Sequence, residues 1–242
     1  MKKQFTDGWR GRIGLVATAP GNATEADFNH YRPEGVAVMT TRTPLKSSTP
    51  EGIREMDAYI EDAACMLAAN AYCDIVLLSS TAGSFIAGKE MDDQNARQLS
   101  KKCGCKVITS AQCMLKALHS LKAQKIVLIT PSSAALNQIE IAYLNSAGIE
   151  VVSQEGFLLS SPRDILCISQ EEICEKIRKS VVPEADAVVL SCSGLHAMEI
   201  LEPMEQEIRK TIIASNQFGL WGCLKELQIS DLPLHAGSLF GY

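Results

Sequence analysis

The chain has 242 residues, of which 46% are hydrophobic and 21% charged, with a formal net charge of −5 and a mean hydropathy of +0.04. That length buries a substantial core, and the composition is that of an ordinary globular protein, not a disordered chain or a minimal scaffold. The acidic balance leaves no basic footprint for nucleic acid or an anionic membrane, and no apolar run approaches the roughly 18 residues that span a bilayer.

The N-terminal stretch Met1-Lys2-Lys3-Gln4-Phe5-Thr6-Asp7 leads into polar, glycine-rich sequence and not into the apolar segment of a signal peptide, so a cytoplasmic protein is expected. Residues 12–18 read as the first strand, with Pro20-Gly21-Asn22 in the loop at its C-terminal end. Glu25 to Phe28 opens a short helix, closed by Pro33-Glu34-Gly35, and residues 36–41 form a second strand. Thr49 before Pro50 starts a helix whose apolar face, Met56, Ile60, Ala63, Ala64 and Leu67, keeps helical spacing. The third strand ends at Ser80. Gly83 and Gly88 around Ser84-Phe85 predict a sharp turn there, before a helix over residues 92–102. A fourth strand at 106–110 and a helix at 111–121 lead into the second half.

Residues 125–130 restart the pattern. A helix over 134–147 ends at Gly148, a favourable C-terminal cap. A strand at 149–152, a helix at 171–181 and a buried strand at 187–190 follow. Helix 198–210, strand 211–215 and a helix from Gln217 complete the series. Strand–helix alternation throughout predicts an α/β fold with parallel sheets.

The second half repeats the first. Cys73-Asp74-Ile75-Val76-Leu77-Leu78-Ser79-Ser80 aligns with Ala185-Asp186-Ala187-Val188-Val189-Leu190-Ser191-Cys192, the two Asp residues lying 186 − 74 = 112 positions apart. Residues 12–18 resemble 125–130, and Val107-Ile108-Thr109-Ser110-Ala111-Gln112 resembles Ile212-Ile213-Ala214-Ser215-Asn216-Gln217. Three matched segments in one order argue for a duplicated half-domain. The expected architecture is two pseudo-symmetric lobes, each a parallel four-stranded sheet flanked by helices. Residues 1–112 with 216–242 form the first lobe and 113–215 the second. The active site lies in the cleft between them, with Ser80 and Cys192 on opposite walls.

Nine cysteines occur, and an odd number in a chain expected to be cytoplasmic argues against a disulfide framework. Cys103-Gly104-Cys105, the tightest pair, has neither a nearby histidine nor a second cysteine pair, so no metal is expected there. Cys192 ends a buried strand ahead of a helix, where free backbone amides and a helix N-terminus would draw its thiol toward ionisation. An ordinary buried cysteine is the bland alternative. His30, His119 and His235 sit in no motif, and His196 is placed at a helix start, so Cys-His or Ser-His-Asp hydrolysis has no support. No G-x-G-x-x-G or G-x-x-x-x-G-K-[ST] loop occurs. What remains is a thiol among Ser, Thr, Asn and Gly at strand ends. That set suits proton transfer at a carbon next to a carboxylate, with hydroxyls and amides holding the enediolate.

Several segments resemble the aspartate/glutamate racemase superfamily, within it the maleate cis–trans isomerase and arylmalonate decarboxylase branch. Pro20-Gly21-Asn22-Ala23-Thr24 is similar to the branch's P-S-x-N-T segment, Thr49-Pro50-Glu51-Gly52 to a loop of the decarboxylases, and Ser80-Thr81-Ala82-Gly83-Ser84 to the isomerases' C-T-S-G-S. Ser191-Cys192-Ser193-Gly194 resembles the second cysteine motif, and Ala214-Ser215-Asn216-Gln217 the S-N-Q segment. The resemblance implies Cys192 and Ser80 as catalytic positions. It implies Asn22, Thr81, Ala82, Ser132, Ser193, Gly194 and Asn216 as substrate-binding positions, with no cofactor and a small carboxylic acid as substrate.

The departures from the pattern direct the reading. Ser80 replaces the first of two facing cysteines, Ala82 a serine, and Ser132 a tyrosine common in the branch. Arylmalonate decarboxylases likewise lack the first cysteine and use the second to protonate an enediolate. The leading expectation is therefore a cofactor-independent decarboxylase of a small malonate-type or dicarboxylic acid. A maleate cis–trans isomerase or racemase-like isomerase, and a non-catalytic carboxylate-binding protein, are the alternatives. No nucleic acid or membrane partner is implied, and a homo-oligomer is compatible with the sequence. The bland uses of Asn22 and Asn216 are turn and cap geometry, and of Thr81 and Ser84 helix capping.

Overall fold

Two parallel sheets carry the fold in a computed structural model that describes residues 5–231, 233 and 235–242. The reading of the N-terminus as leaderless rests partly on residues 1–4, which lie outside the described residues. In the first sheet β1 (Gly11–Thr18), β2 (Val36–Thr43), β3 (Ile75–Leu78) and β4 (Lys106–Thr109) run in the order β2-β1-β3-β4. In the second, β5 (Lys125–Ser132), β6 (Glu150–Leu159), β7 (Ala187–Leu190) and β8 (Thr211–Ala214) run in the order β6-β5-β7-β8. Every pairing is parallel.

The helices are α1 (Ala23–Tyr31), α2 (Pro50–Asp57), α3 (Ile60–Ala69), α4 (Thr81–Ala87), α5 (Lys89–Cys103) and α6 (Ser110–Leu121) on the first side. On the second they are α7 (Ala134–Ser146), α8 (Pro162–Ile165), α9 (Gln170–Ser180), α10 (Met198–Ile208) and α11 (Ser215–Glu226). α11 follows the last strand of the second sheet but packs on α6, α1 and β3. Gly222 lets α11 approach α6, since a Cβ there would collide with Cys113 Sγ. No helix among the described residues is long and apolar enough to cross a membrane.

The duplication is visible in the hydrogen bonds. Asp74 accepts from the Arg12 N–H (2.9 Å) ahead of β3, and Asp186 accepts from the Gln124 and Lys125 N–H groups (2.8 Å each) ahead of β7. At the other strand ends the Ser79 N–H reaches the Val16 carbonyl (3.0 Å) and the Ser191 N–H the Ile129 carbonyl (2.9 Å). Gln112 and Gln217 each turn back to accept from the backbone N–H three residues earlier, at 3.1 and 3.3 Å. β3 and β7, interior strands of their sheets, are buried along their whole length, which explains their unbroken aliphatic runs.

Four expectations are corrected. The helix from Pro50 breaks between α2 and α3 because the two pieces serve different neighbours, α2 resting on α4 and α3 on β1 and β2. Where a sharp turn was expected after Ser80 there is a helix, α4, and the turn falls at Gly88, whose φ of +81° is open to glycine at little cost. β6 is far longer than 149–152. As an edge strand it needs no continuous apolar run, and Ser153-Gln154-Glu155 hid it. Finally, Cys65 and Cys103 form a disulfide with a Cα–Cα distance of 4.6 Å, because α3 and α5 pack side by side.

Candidate active site

A cavity of about 80 Å³ lies at the C-terminal ends of strands from both sheets, the usual ligand position in open α/β folds. Thr18 enters it at the end of β1 and Pro20 and Gly21 just after it, Ser80, Thr81 and Ala82 after β3, Ser132 at the end of β5, and Ser191 to Gly194 after β7. Thus seven of the nine expected site residues line one space: Ser80, Thr81, Ala82, Ser132, Cys192, Ser193 and Gly194. Leu45, Ile53, Phe85, Leu136 and Ile165 make its apolar wall.

The other two stand outside the lining. Asn22 is exposed at the head of α1, where its side chain makes no capping hydrogen bond. Asn216 is buried behind the wall, donating from Nδ2 to Asp27 Oδ2 (2.7 Å) and to the Ser193 carbonyl (3.2 Å). Thr24 Oγ1 donates to the same carbonyl at 3.0 Å. Two donors from two helices therefore fix the loop that carries Cys192. Burial pushes the Asp27 carboxyl up to about 6, with the Asn216 hydrogen bond opposing.

Cys192 shows an edge to the cavity, yet enough protein surrounds it that desolvation pushes its thiol up to about 11. A hydrogen bond from the Gly194 N–H to Sγ (3.3 Å) opposes that shift, and the nearby Glu140 carboxyl adds to it. The expectation of a thiol near its ionisation threshold is corrected: α10 begins only at Met198, leaving Cys192 and His196 short of the helix N-terminus. A thiol so placed stays protonated and can act as an acid.

Glu140 was not foreseen. It is 3% exposed, lines the cavity from α7, and burial pushes its carboxyl up to about 8. A signal existed, because Asn137 and Glu140 share the buried face of α7 with Leu136, Tyr143 and Leu144. Polar residues on such a stripe point to a site. Ser80 is the N-cap of α4 but makes no capping hydrogen bond, so its hydroxyl is available to the cavity. A larger cavity of about 390 Å³ adjoins it in the first lobe and shares Thr18 and Ser80, but no thiol lines it. Among the described residues no three His, Cys, Asp or Glu side chains come together as a metal site.

Duplicated parallel sheets with a thiol and a hydroxyl at equivalent strand ends define a two-lobed enzyme of the Asp/Glu racemase-like fold. Residues 13–240 match the family model described as arylmalonate decarboxylase, and the chain belongs to that family. Maleate isomerase of Nocardia farcinica is 24% identical over 234 residues, covering 92% of this chain and 91% of the relative. Arylmalonate decarboxylase of Bordetella bronchiseptica is 22% identical over 223 residues, covering 88% and 89%. The maleate isomerase Iso of Pseudomonas putida S16 superposes with a TM-score of 0.89 at 19% identity over 95% of this chain and 98% of that one, a likeness of fold. A variant of the Nocardia farcinica maleate cis–trans isomerase with a covalently bound succinylcysteine intermediate has the same fold at TM-score 0.89 and 22% identity, covering 95% and 98%. The chain is an isomerase or a carboxy-lyase.

Proposed function

We propose that this protein is a cofactor-independent decarboxylase of a small malonate-type or dicarboxylic acid. One observation carries the reading: among the described residues Cys192 is the single thiol lining the cavity, while the equivalent place after β3 holds only the Ser80 hydroxyl. Loss of CO₂ leaves the electron pair of the broken C–C bond as an enediolate, and Cys192 delivers its proton to that carbon. Among the described residues no lysine, arginine or histidine lines the cavity, so anionic oxygens are held by dipoles. The hydroxyls of Ser80, Thr81, Ser132 and Ser193 supply them, with the Thr81 and Ala82 amides of the first turn of α4. The Gly194 N–H steadies the sulfur after transfer, and Asn216 acts from behind by holding Ser193. Asn22 follows Gly21 of the lining and is assigned to the cavity mouth.

The maleate isomerases among the relatives favour a second reading, in which Cys192 acts on a cis double bond with Ser80 as a weak partner. Purified protein incubated with phenylmalonate, methylmalonate and maleate separates the two. Release of CO₂ from a malonate is the expected result. Fumarate formed from maleate without CO₂ would replace the decarboxylase reading by the isomerase one, and inertness toward the whole panel would count against both.

A further inference from the structure

Among the described residues Glu140 is the one carboxyl or basic side chain in the cavity lining. A carboxylate there would repel a carboxylate substrate, with no cation on the wall to offset it. Its Oε1 is buried without a partner, and so is the Ser191 hydroxyl next to Cys192 in the chain. One turn earlier on α7, both polar atoms of the Asn137 side chain are also buried and unpartnered. Buried polar atoms of native proteins are nearly always satisfied, so these four atoms on α7 and just after β7 stand apart from the apolar wall around them.

We propose that Glu140, as the neutral carboxylic acid, is the proton reserve of the site and returns a proton to Cys192 after each turnover. The proposal rests on the reading in which Cys192 protonates the product carbon. In that step S–H breaks and C–H forms, leaving a thiolate. The Glu140 O–H then breaks and S–H re-forms, with the Ser191 hydroxyl as bridge, leaving a carboxylate. Water in the emptied cavity restores the Glu140 proton, so each CO₂ released corresponds to one proton taken from solvent.

The electrostatics agree with this role. Desolvation holds the acid up to about 8, and the Ser191 hydroxyl pulls the other way without closing a hydrogen bond, since Ser191 Oγ and Glu140 Oε1 both end unpartnered. Of the elements packed on α7, α4 carries no ionisable residue. The charges of β5 and β6 are occupied elsewhere, Lys125 with Glu150 (4.0 Å) and Glu155 with Lys176 of α9 (3.2 Å). Tyr143, the next ionisable group on α7, packs its ring on Phe85. Glu140 and Cys192 are also coupled directly, because charge on the carboxyl raises the proton affinity of the thiol.

The test is Glu140→Gln, which keeps the shape and removes the titrating proton. In the absence of substrate, iodoacetamide labelling of Cys192, followed by mass spectrometry of its peptide across pH, should rise about one pH unit lower in E140Q than in wild type. With phenylmalonate, kcat should fall roughly 10- to 100-fold with little change in KM. The alkaline fall of kcat centred near 8 in wild type should disappear, and Glu140→Asp should restore part of the rate. An E140Q enzyme with wild-type labelling and an unchanged alkaline limb would overturn the role of Glu140 alone. Turnover of phenylmalonate by Cys192→Ala would overturn that role together with the reading beneath it. If E140Q does not fold, infrared difference spectra of wild type decide: a protonated carboxyl band present at neutral pH and lost near pH 8 supports the proposal, and its absence overturns it.

Discussion

Ser80 and Cys192 hold the same place in two copies of one unit, each two residues beyond a fully buried central strand, and both line a single cavity. One wall thus offers a thiol and the other a hydroxyl. A thiol ionises near 8.5 in water, whereas a serine hydroxyl is far less acidic. On the proposed reading, proton transfer is confined to the wall that carries Cys192.

Replacing Cys192 by Ala should reduce turnover by on the order of 10²–10⁴ while the fold survives. The side chain has one edge on the cavity, so its loss opens no sealed core void. Parallel measurements of phenylmalonate turnover and thermal melting check this. An unfolded variant would mark Cys192 as structural, and an active one would remove it from the chemistry.

Ser80→Cys should place a thiol on each wall. The expected gain is deuterium exchange from D₂O at both faces of a chiral product acid, where the wild type exchanges at one face only. The enantiomeric composition of the deuterated product reports this. Exchange at both faces in the wild type would sink the one-sided mechanism.

Asn216→Ala should impair both rate and stability. It removes one of the two donors to the Ser193 carbonyl and leaves the buried Asp27 carboxyl without its amide partner. Stranding a buried polar group costs roughly 1–3 kcal/mol, which denaturant titration resolves. The Asp27 carboxyl, no longer favoured in its charged form, should titrate above its present value of about 6.

The contribution of Asp27 to stability should fall as pH rises through the weakly acidic range. Asp27 titrates near 3.8 when unfolded and about 6 when folded, so the folded state binds its proton more tightly between those limits. Ionising it on going from pH 4 to pH 6 costs about 2–3 kcal/mol. Glu140, raised from 4.5 to about 8, extends the decline to higher pH. Asp27→Asn should flatten the lower segment of the curve, as urea melts at a series of pH values would show. An Asp27→Asn curve that keeps the wild-type slope between pH 4 and pH 6 would contradict the raised Asp27 carboxyl.

Much of this protein could be read from residue order alone. The repeat of Asp74 to Ser80 in Asp186 to Cys192 announced two equal sheets, because a strand buried on both faces must be continuously apolar and its boundary residues must satisfy backbone groups. The same repeat put Ser80 and Cys192 at equivalent strand ends, and both line one cavity. What only the tertiary structure decided were properties that depend on neighbours remote in sequence. Cys192 lies ahead of a helix in sequence, but the length of the loop and the protein around it make desolvation, not a helix N-terminus, control the thiol. Asn216 and Asn22 look alike as motif residues, yet one is locked to Asp27 and Ser193 from elements nearly 190 and 23 positions away, and the other faces solvent. Glu140 becomes special only because the second sheet and α4 close over α7 and strip its carboxyl of water. Strand pattern is a local consequence of burial on both faces. Proton affinity is set by everything that displaces solvent, and only the assembled lobes determine that.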